Sequence, residues 1–198
     1  KQKYINKKWK FKVRDMYDIL ALKEVFDDEI YRFVFEGIEN NTTLIDLGAY
    51  IADTEVYAQQ FPEVRHIIAV EPMPENFKLA KENILLNKIK NTSLLQYAIS
   101  KRKGIANLFI HPNKGQSGFW QKSKNTQKIK VKMITLVDVL KRVKTESIIL
   151  KCDCEGIEYE MFMDTPINEL SKFQKMTFEY HDDEKLIEII AKLEKAGF

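Results

Sequence analysis

Leu44-Ile45-Asp46-Leu47-Gly48-Ala49-Tyr50-Ile51-Ala52, followed by Ile67-Ile68-Ala69-Val70-Glu71-Pro72, reads as a buried strand, a glycine turn, a helix and a second buried strand ending in an acid. That succession is half of a nucleotide-binding α/β sheet. Gly48 permits a close approach of backbone to ligand. The helix behind it would turn its N-terminus towards an anion such as a carboxylate or phosphate. Glu71 follows Asp46 by about 25 residues, where a carboxylate can accept hydrogen bonds from both hydroxyls of a ribose.

Working outward, Asp15 to about Glu39 carries a helical pattern in which Ile30, Phe33, Val34 and Ile38 recur, with Asp27 and Asp28 suited to the first turn of its second half. Strands are expected at Leu44–Leu47, His66–Val70 and Ser93–Ile99, with helices over Ala52–Phe61 and from Pro74, the latter burying Phe77, Ala80, Ile84 and Leu85. Ile105–Ile110 and Ile129–Ile134 then read as two strands of a hairpin-like excursion. Between them His111–Gln127 forms a long loop, whose Gly115-Gln116-Ser117-Gly118-Phe119-Trp120 is the candidate substrate lid. A short helix at Val137–Val143, a central strand at Ile148–Cys152, a helix at Ile157–Met163 and a strand at Met176–Tyr180 follow. A last amphipathic helix buries Leu186, Ile189, Ile190 and Leu193. The alternation predicts an α/β fold with a doubly wound, mostly parallel sheet and a β-hairpin excursion before the fourth core strand. Residues 1–27 are expected as a basic N-terminal segment and 28–198 as one domain. The sequence lacks an initial Met and stops directly after a helix, where such a sheet continues into another strand, so part of the domain is expected beyond residue 198.

Hydrophobic residues make up 44% and charged residues 31%, a globular composition with no apolar run near the roughly 18 residues of a membrane span. The N-terminus lacks the apolar core of a signal peptide. Cys152 and Cys154 are too close in sequence for an unstrained bridge and have no second pair for a zinc site. Reduced thiols in a cytoplasmic protein are expected, and no metal. The net charge of +3 is unevenly spread: residues 1–14 carry seven basic side chains and residues 101–132 nine, both without an acid. Such segregation is either a lysine-rich solvated face or a surface for a phosphate, a nucleic acid or an acidic glycan.

The glycine count decides between ligands. A dinucleotide site needs three glycines for the backbone to wrap a pyrophosphate, and here Gly48 is followed by Tyr50 and Ala52. S-adenosylmethionine offers a carboxylate, a ribose and an adenine but no pyrophosphate, and one glycine, a helix N-terminus and Glu71 match that inventory. Two further constellations sit at later strand ends. In Lys151-Cys152-Asp153-Cys154-Glu155-Gly156, alternation puts Lys151 and Asp153 on one face, either as an ion pair ordering the turn or as catalytic groups. In Glu179-Tyr180-His181, Glu179 and His181 share a face, and the imidazole can take a proton from a hydroxyl.

Together these pieces resemble the FkbM-type S-adenosylmethionine-dependent methyltransferases. The resemblance rests on Ile45-Asp46-Leu47-Gly48-Ala49, Val70-Glu71-Pro72-Met73-Pro74-Glu75-Asn76-Phe77, Glu82-Asn83 with Asn87, Ile134-Thr135-Leu136 with Asp138, Lys151 to Glu158, and Glu179-Tyr180-His181, in family order over about residues 28–198. It implies a Rossmann-like class I methyltransferase fold, with S-adenosylmethionine held by Asp46, Gly48, Ala49, Tyr50, Glu71, Pro72 and Met73 and its adenine near Tyr97 and Ala98. It also implies methylation of a hydroxyl on a sugar, glycan or small metabolite, with Lys151, Asp153, Glu155, Glu179 and His181 as the catalytic set and His181 or Asp153 as the base. The family's glycine loop usually has Asn where this chain has Tyr50 and a second Gly where it has Ala52. The alternatives are a ribose-methylating RNA enzyme, motivated by the basic segments, and a non-catalytic binding module, motivated by Tyr50 and Ala52.

Overall fold

The computed structural model describes residues 2–6, 8–110, 128–154, 156–180 and 183–198. The central sheet has five strands in the order β10-β9-β3-β4-β5, all parallel: β3 (Thr42–Leu47), β4 (Val64–Val70), β5 (Thr92–Leu95), β9 (Ser147–Cys152) and β10 (Lys175–Phe178). From β3 the chain winds one way to β4 and β5, then returns to the other side of β3 to lay down β9 and β10. The order therefore reverses between β3 and β9, and ligands in such sheets sit outside the carboxyl ends at that point.

Both faces of this sheet are covered, which is why β3 and β9 are buried along their whole length. Ile45, Leu47, Ile68, Val70, Leu150 and Cys152 face a core closed by α5 (Leu136–Leu140), α6 (Glu158–Asp164), α7 (Ile167–Leu170) and α8 (Asp183–Ala196). Leu44, Ile67, Ala69 and Ile149 face the opposite core with Val34 and Phe35 of α2 (Arg32–Phe35) and Tyr57 of α3 (Asp53–Tyr57).

Several elements differ from the pattern reading. The helical stretch expected from Asp15 to Glu39 holds two helices. Asp15 caps α1 (Met16–Phe26) by accepting from the Tyr17 and Asp18 amides, the helix ends at Asp27, and Glu29 turns the chain at φ 51° before α2. Asp27 and Asp28 thus close one helix and do not open another. The third strand divides: β5 stays in the main sheet, while β6 (Ala98–Ile99) joins β7 (Gly104–Phe109) and β8 (Lys128–Ile134) in a small sheet of order β6-β8-β7. The antiparallel β7–β8 pair is the expected excursion. α3 is five residues long and runs into a single tight turn at Ala58–Gln60. In α8 the buried side chains are Ile189, Leu193 and Ala196, whereas Ile190 is exposed and Leu186 half-buried.

α4 (Pro74–Leu86) buries Asn76, Leu79, Ala80, Asn83 and Ile84, a strict helical stripe, and leaves Leu85 exposed. An apolar reading of this helix misses its asparagines because their partners come from far away in sequence. β1 (Gln2–Asn6) and β2 (Trp9–Val13) pair antiparallel as a hairpin. Along the free edge of β2, Asn83 accepts from the Lys12 amide at 2.8 Å and donates to its carbonyl, and Asn87 does the same for Lys10. Two side chains one helical turn apart stand in for a neighbouring strand. Phe11, Val13 and Leu22 bury against Ile51, Val56, Leu79 and Ile84. The basic N-terminal segment thus packs into the same body as the sheet.

Candidate active site

At the β3/β9 switch point lies a cavity of about 330 Å³. Of the cofactor set, Gly48, Tyr50, Glu71, Pro72, Met73 and Ala98 line it; of the catalytic set, Lys151, Asp153 and Glu179 do. Asp46 stands behind the wall, Ala49 is buried in the core on the α2 side, and Tyr97 packs half-buried against the opposite core. Glu155, His181 and the Gly115–Trp120 lid lie outside the described residues.

The glycine is required by the protein before any ligand arrives. Gly48 has φ 94°, and a Cβ there would stand 1.8 Å from the Asp153 carbonyl oxygen. The Asp153 amide in turn donates to Leu47 O at 2.9 Å, so the turns after β3 and β9 are pressed together. Beyond Gly48, Tyr50 (φ 44°) and Ala52 (φ 66°, ψ 38°) adopt left-handed conformations. Ala52, expected as the first residue of a helix, therefore stands outside the right-handed α3. This geometry explains why Asn and Gly suit these two positions, and each non-glycine costs roughly 1–2 kcal/mol here.

Glu71 is held by three donors: the Tyr50 amide (2.9 Å), the Met73 amide (2.8 Å) and Asn76 Nδ2 (3.3 Å). Burial nevertheless pushes its carboxyl up to about 7. A carboxylate has about four acceptor positions, so this group retains capacity for a further donor, and its burial favours one. Asn76 is oriented in turn, because its Oδ1 accepts from Arg14 Nη1 at 2.7 Å. Arg14 grips the buried Asp18 with three further hydrogen bonds, and the Tyr50 ring lies 5.3 Å from its guanidinium. The ring that replaces the family's Asn is thereby drawn towards the N-terminal segment.

Lys151 pairs with Asp46, not with Asp153. The two residues are register partners on β9 and β3, their charged atoms are 3.1 Å apart, and Lys151 also donates to Gly48 O at 2.7 Å. Burial disfavours the ammonium, but Asp46 foremost, with Tyr31, Asp153 and Asp53, holds its pKa well above the ordinary lysine value. Lys151 is thus a fixed cation that ties two strand ends together. Around it stand groups the motif reading did not single out: Tyr31, whose ring lies 5.5 Å from Lys151 Nζ, and Asp53, whose carboxyl burial raises to about 7. Glu158 staples the turn after β9 by accepting from the Cys154 and Gly156 amides. Both cysteines are free thiols, their sulfurs 4.0 Å apart. Among the described residues no three His, Cys, Asp or Glu side chains are grouped to hold a metal ion, and no helix is long and apolar enough to cross a membrane.

A family model, the methyltransferase FkbM domain, matches residues 46–198. The chain belongs to the FkbM methyltransferase family. Its fold is shared with a methyltransferase FkbM from Methylobacillus flagellatus (11% identity, TM-score 0.56, covering 91% of this chain and 49% of that one). It is shared too with a precorrin-6y C5,15-methyltransferase from Geobacter metallireducens (12% identity, TM-score 0.50, 85% and 70%). The chain thus spans about half the length of the Methylobacillus protein. A search of curated proteins gave no match. The FkbM match begins at Asp46, so the hairpin, α1, α2 and the segments between them, which supply Arg14, Asp18 and Tyr31, lie outside it.

Proposed function

We propose that the cavity binds S-adenosylmethionine and that the protein methylates a hydroxyl oxygen of a sugar, glycan or small metabolite. The observation that carries the reading is Glu71: a buried carboxylate with acceptor capacity left over, facing the Gly48 turn at the sheet's switch point. A ribose offers two vicinal hydroxyl donors of the kind this group lacks. Gly48, Tyr50, Met73 and Ala98 shape the rest of that end.

When bound, S-adenosylmethionine supplies an electrophilic methyl carbon, and its transfer to a hydroxyl oxygen releases one proton. Asp153, on the cavity wall beside the Gly48 turn, is the base this reading assigns to that proton; a positioned base is worth about 10²–10⁴-fold. Glu179 stands at the same wall, and its amide donates to Cys152 O, which fixes it relative to the Asp153 turn. His181 and Glu155 remain candidates by position in the sequence. Lys151 serves by keeping the ends of β3 and β9 in register, so that nucleophile and base meet in a fixed geometry.

The test is transfer of labelled methyl from S-adenosylmethionine into fractionated cell extract, alongside calorimetry with the cofactor. Binding with label in glycan or metabolite fractions supports the reading. Failure to bind at millimolar cofactor overturns it and leaves the non-catalytic module.

A further inference from the structure

We infer that the outer face of the small β6-β8-β7 sheet is a docking surface for an anionic lipid membrane, on which the protein rests peripherally. This face lies on the far side of the cavity wall, and its occupant is independent of the one proposed for Glu71.

Register and alternation build the face. In the antiparallel β7–β8 pair, Ile105 stands opposite Lys132, Asn107 opposite Lys130 and Phe109 opposite Lys128. Directly opposed residues point to the same side of a sheet, and alternate residues along a strand share that side. The other side carries Leu108 and Val131, packed with Met73 and Ala98. Leu108, Met73 and Ala98 line the cavity, as Tyr17 and Leu20 of α1 do. The sheet is therefore a wall with an apolar inner side and a basic outer one. Lys128, Lys130 and Lys132 are all exposed and stand about 7 Å apart in one column. The exposed turn Lys101-Arg102-Lys103 leads into β7 at the Lys132 end. No acidic residue occurs in the sequence from 101 to 132.

Charge selects a polyanion, and the side chain among the charges selects a membrane. A basic surface is drawn to anionic headgroups, each nearby lysine strengthening the binding roughly fivefold. Lys103 is held by Asp138 at 2.9 Å, so the β8 column supplies the main attraction. Ile105 is 68% exposed, directly across from Lys132 and two residues beyond Lys103. An aliphatic side chain flanked by cations gains by entering the acyl boundary while the ammonium groups stay among the headgroups. A fluid headgroup layer asks only for point charges without fixed geometry, which lysines supply. Single-stranded nucleic acid is held instead on aromatic platforms. On the described part of this face the aromatic ring, Phe109, is half-buried.

The experiment sediments the full chain with vesicles of phosphatidylcholine alone and with phosphatidylserine added. It is run at about 0.1 M and about 1 M salt, between which the screening length falls from about 10 to about 3 Å. Binding is expected to the phosphatidylserine vesicles only, and to be lost at high salt. Lys128→Gln, Lys130→Gln and Lys132→Gln together should weaken it about 100-fold, and Ile105→Ser about tenfold. The melting temperature should stay unchanged, since all four side chains are exposed. Lys8→Gln with Lys10→Gln, on the other basic segment, should leave vesicle binding unchanged. No sedimentation, equal binding to the two vesicle types, or full affinity in the triple variant overturns the docking surface, as does an equal loss in the Lys8 and Lys10 variant. Binding to a uridine oligonucleotide in place of the vesicles assigns the face to nucleic acid and overturns the membrane.

Discussion

The two ends of the cavity are built by different means. The Gly48–Glu71 end is made of strand termini and their turns, all within the family match, and fixed by backbone contacts such as Gly48 against Asp153. The α1 end is made of side chains from a helix outside that match, with apolar groups left in solvent. A turn set by backbone sterics admits few residues, so its composition is narrow. A helix face admits many, so the α1 end can vary in sequence without disturbing the Gly48 turn. Arg14 is the link between the two ends, since it reaches from the N-terminal segment through Asn76 to Glu71.

The severest way to break the comparison is Gly48→Ala. A methyl 1.8 Å from a backbone carbonyl has no flexible neighbour to displace. A loss of about 4 kcal/mol or more in urea unfolding is expected, against little change for a substitution of similar size on the exposed face of α1. Next, Arg14→Ala should free the Asn76 amide to rotate and weaken cofactor binding about tenfold, or about 1.4 kcal/mol. In a Glu71→Ala background the same change should cost nearly nothing more, because both act through one group. Additive losses would mean that Arg14 only supports the fold.

A third test uses pH. Burial raises the carboxyls of Glu71 and Asp53 to about 7. Between their unfolded values near 4 and that point, the folded protein holds protons that the unfolded chain has released, so stability falls as pH rises towards 7 and stays low above it. Thermal melts of the cofactor-free chain should show a higher midpoint at pH 5.5 than at pH 8, with the gap reduced in Glu71→Gln. The smallest effect is expected of Ala52→Gly. Relief of left-handed strain is offset by a lost buried methyl and a freer unfolded chain, leaving a stability change within about 1 kcal/mol.

The same division decides what the sequence disclosed. β3, β4 and the residues that follow them were legible because strand periodicity, one glycine and one acid are local signals. The identity of the fold was legible because the pieces fall in family order. The Lys151–Asp46 pair was not, since its partners are 105 residues apart and meet only through strand register. Asn76 and Asn83 were quoted in the family motifs, but their roles were hidden for a similar reason: a buried asparagine looks like a surface residue until its distant backbone or guanidinium partner is known. The left-handed turn at Ala52 gave no signal of its own, since alanine hides the conformation that glycine advertises.

The proposed function centres on Glu71 as the acceptor for the cofactor's ribose hydroxyls. Calorimetric titration of S-adenosylmethionine into the full chain and into Glu71→Gln at pH 8 measures this. Saturable binding by the unsubstituted chain is expected, with about 100-fold loss in the glutamine variant, the worth of one to two charge-assisted hydrogen bonds. Equal affinity in the two proteins, or no heat from either, would contradict it.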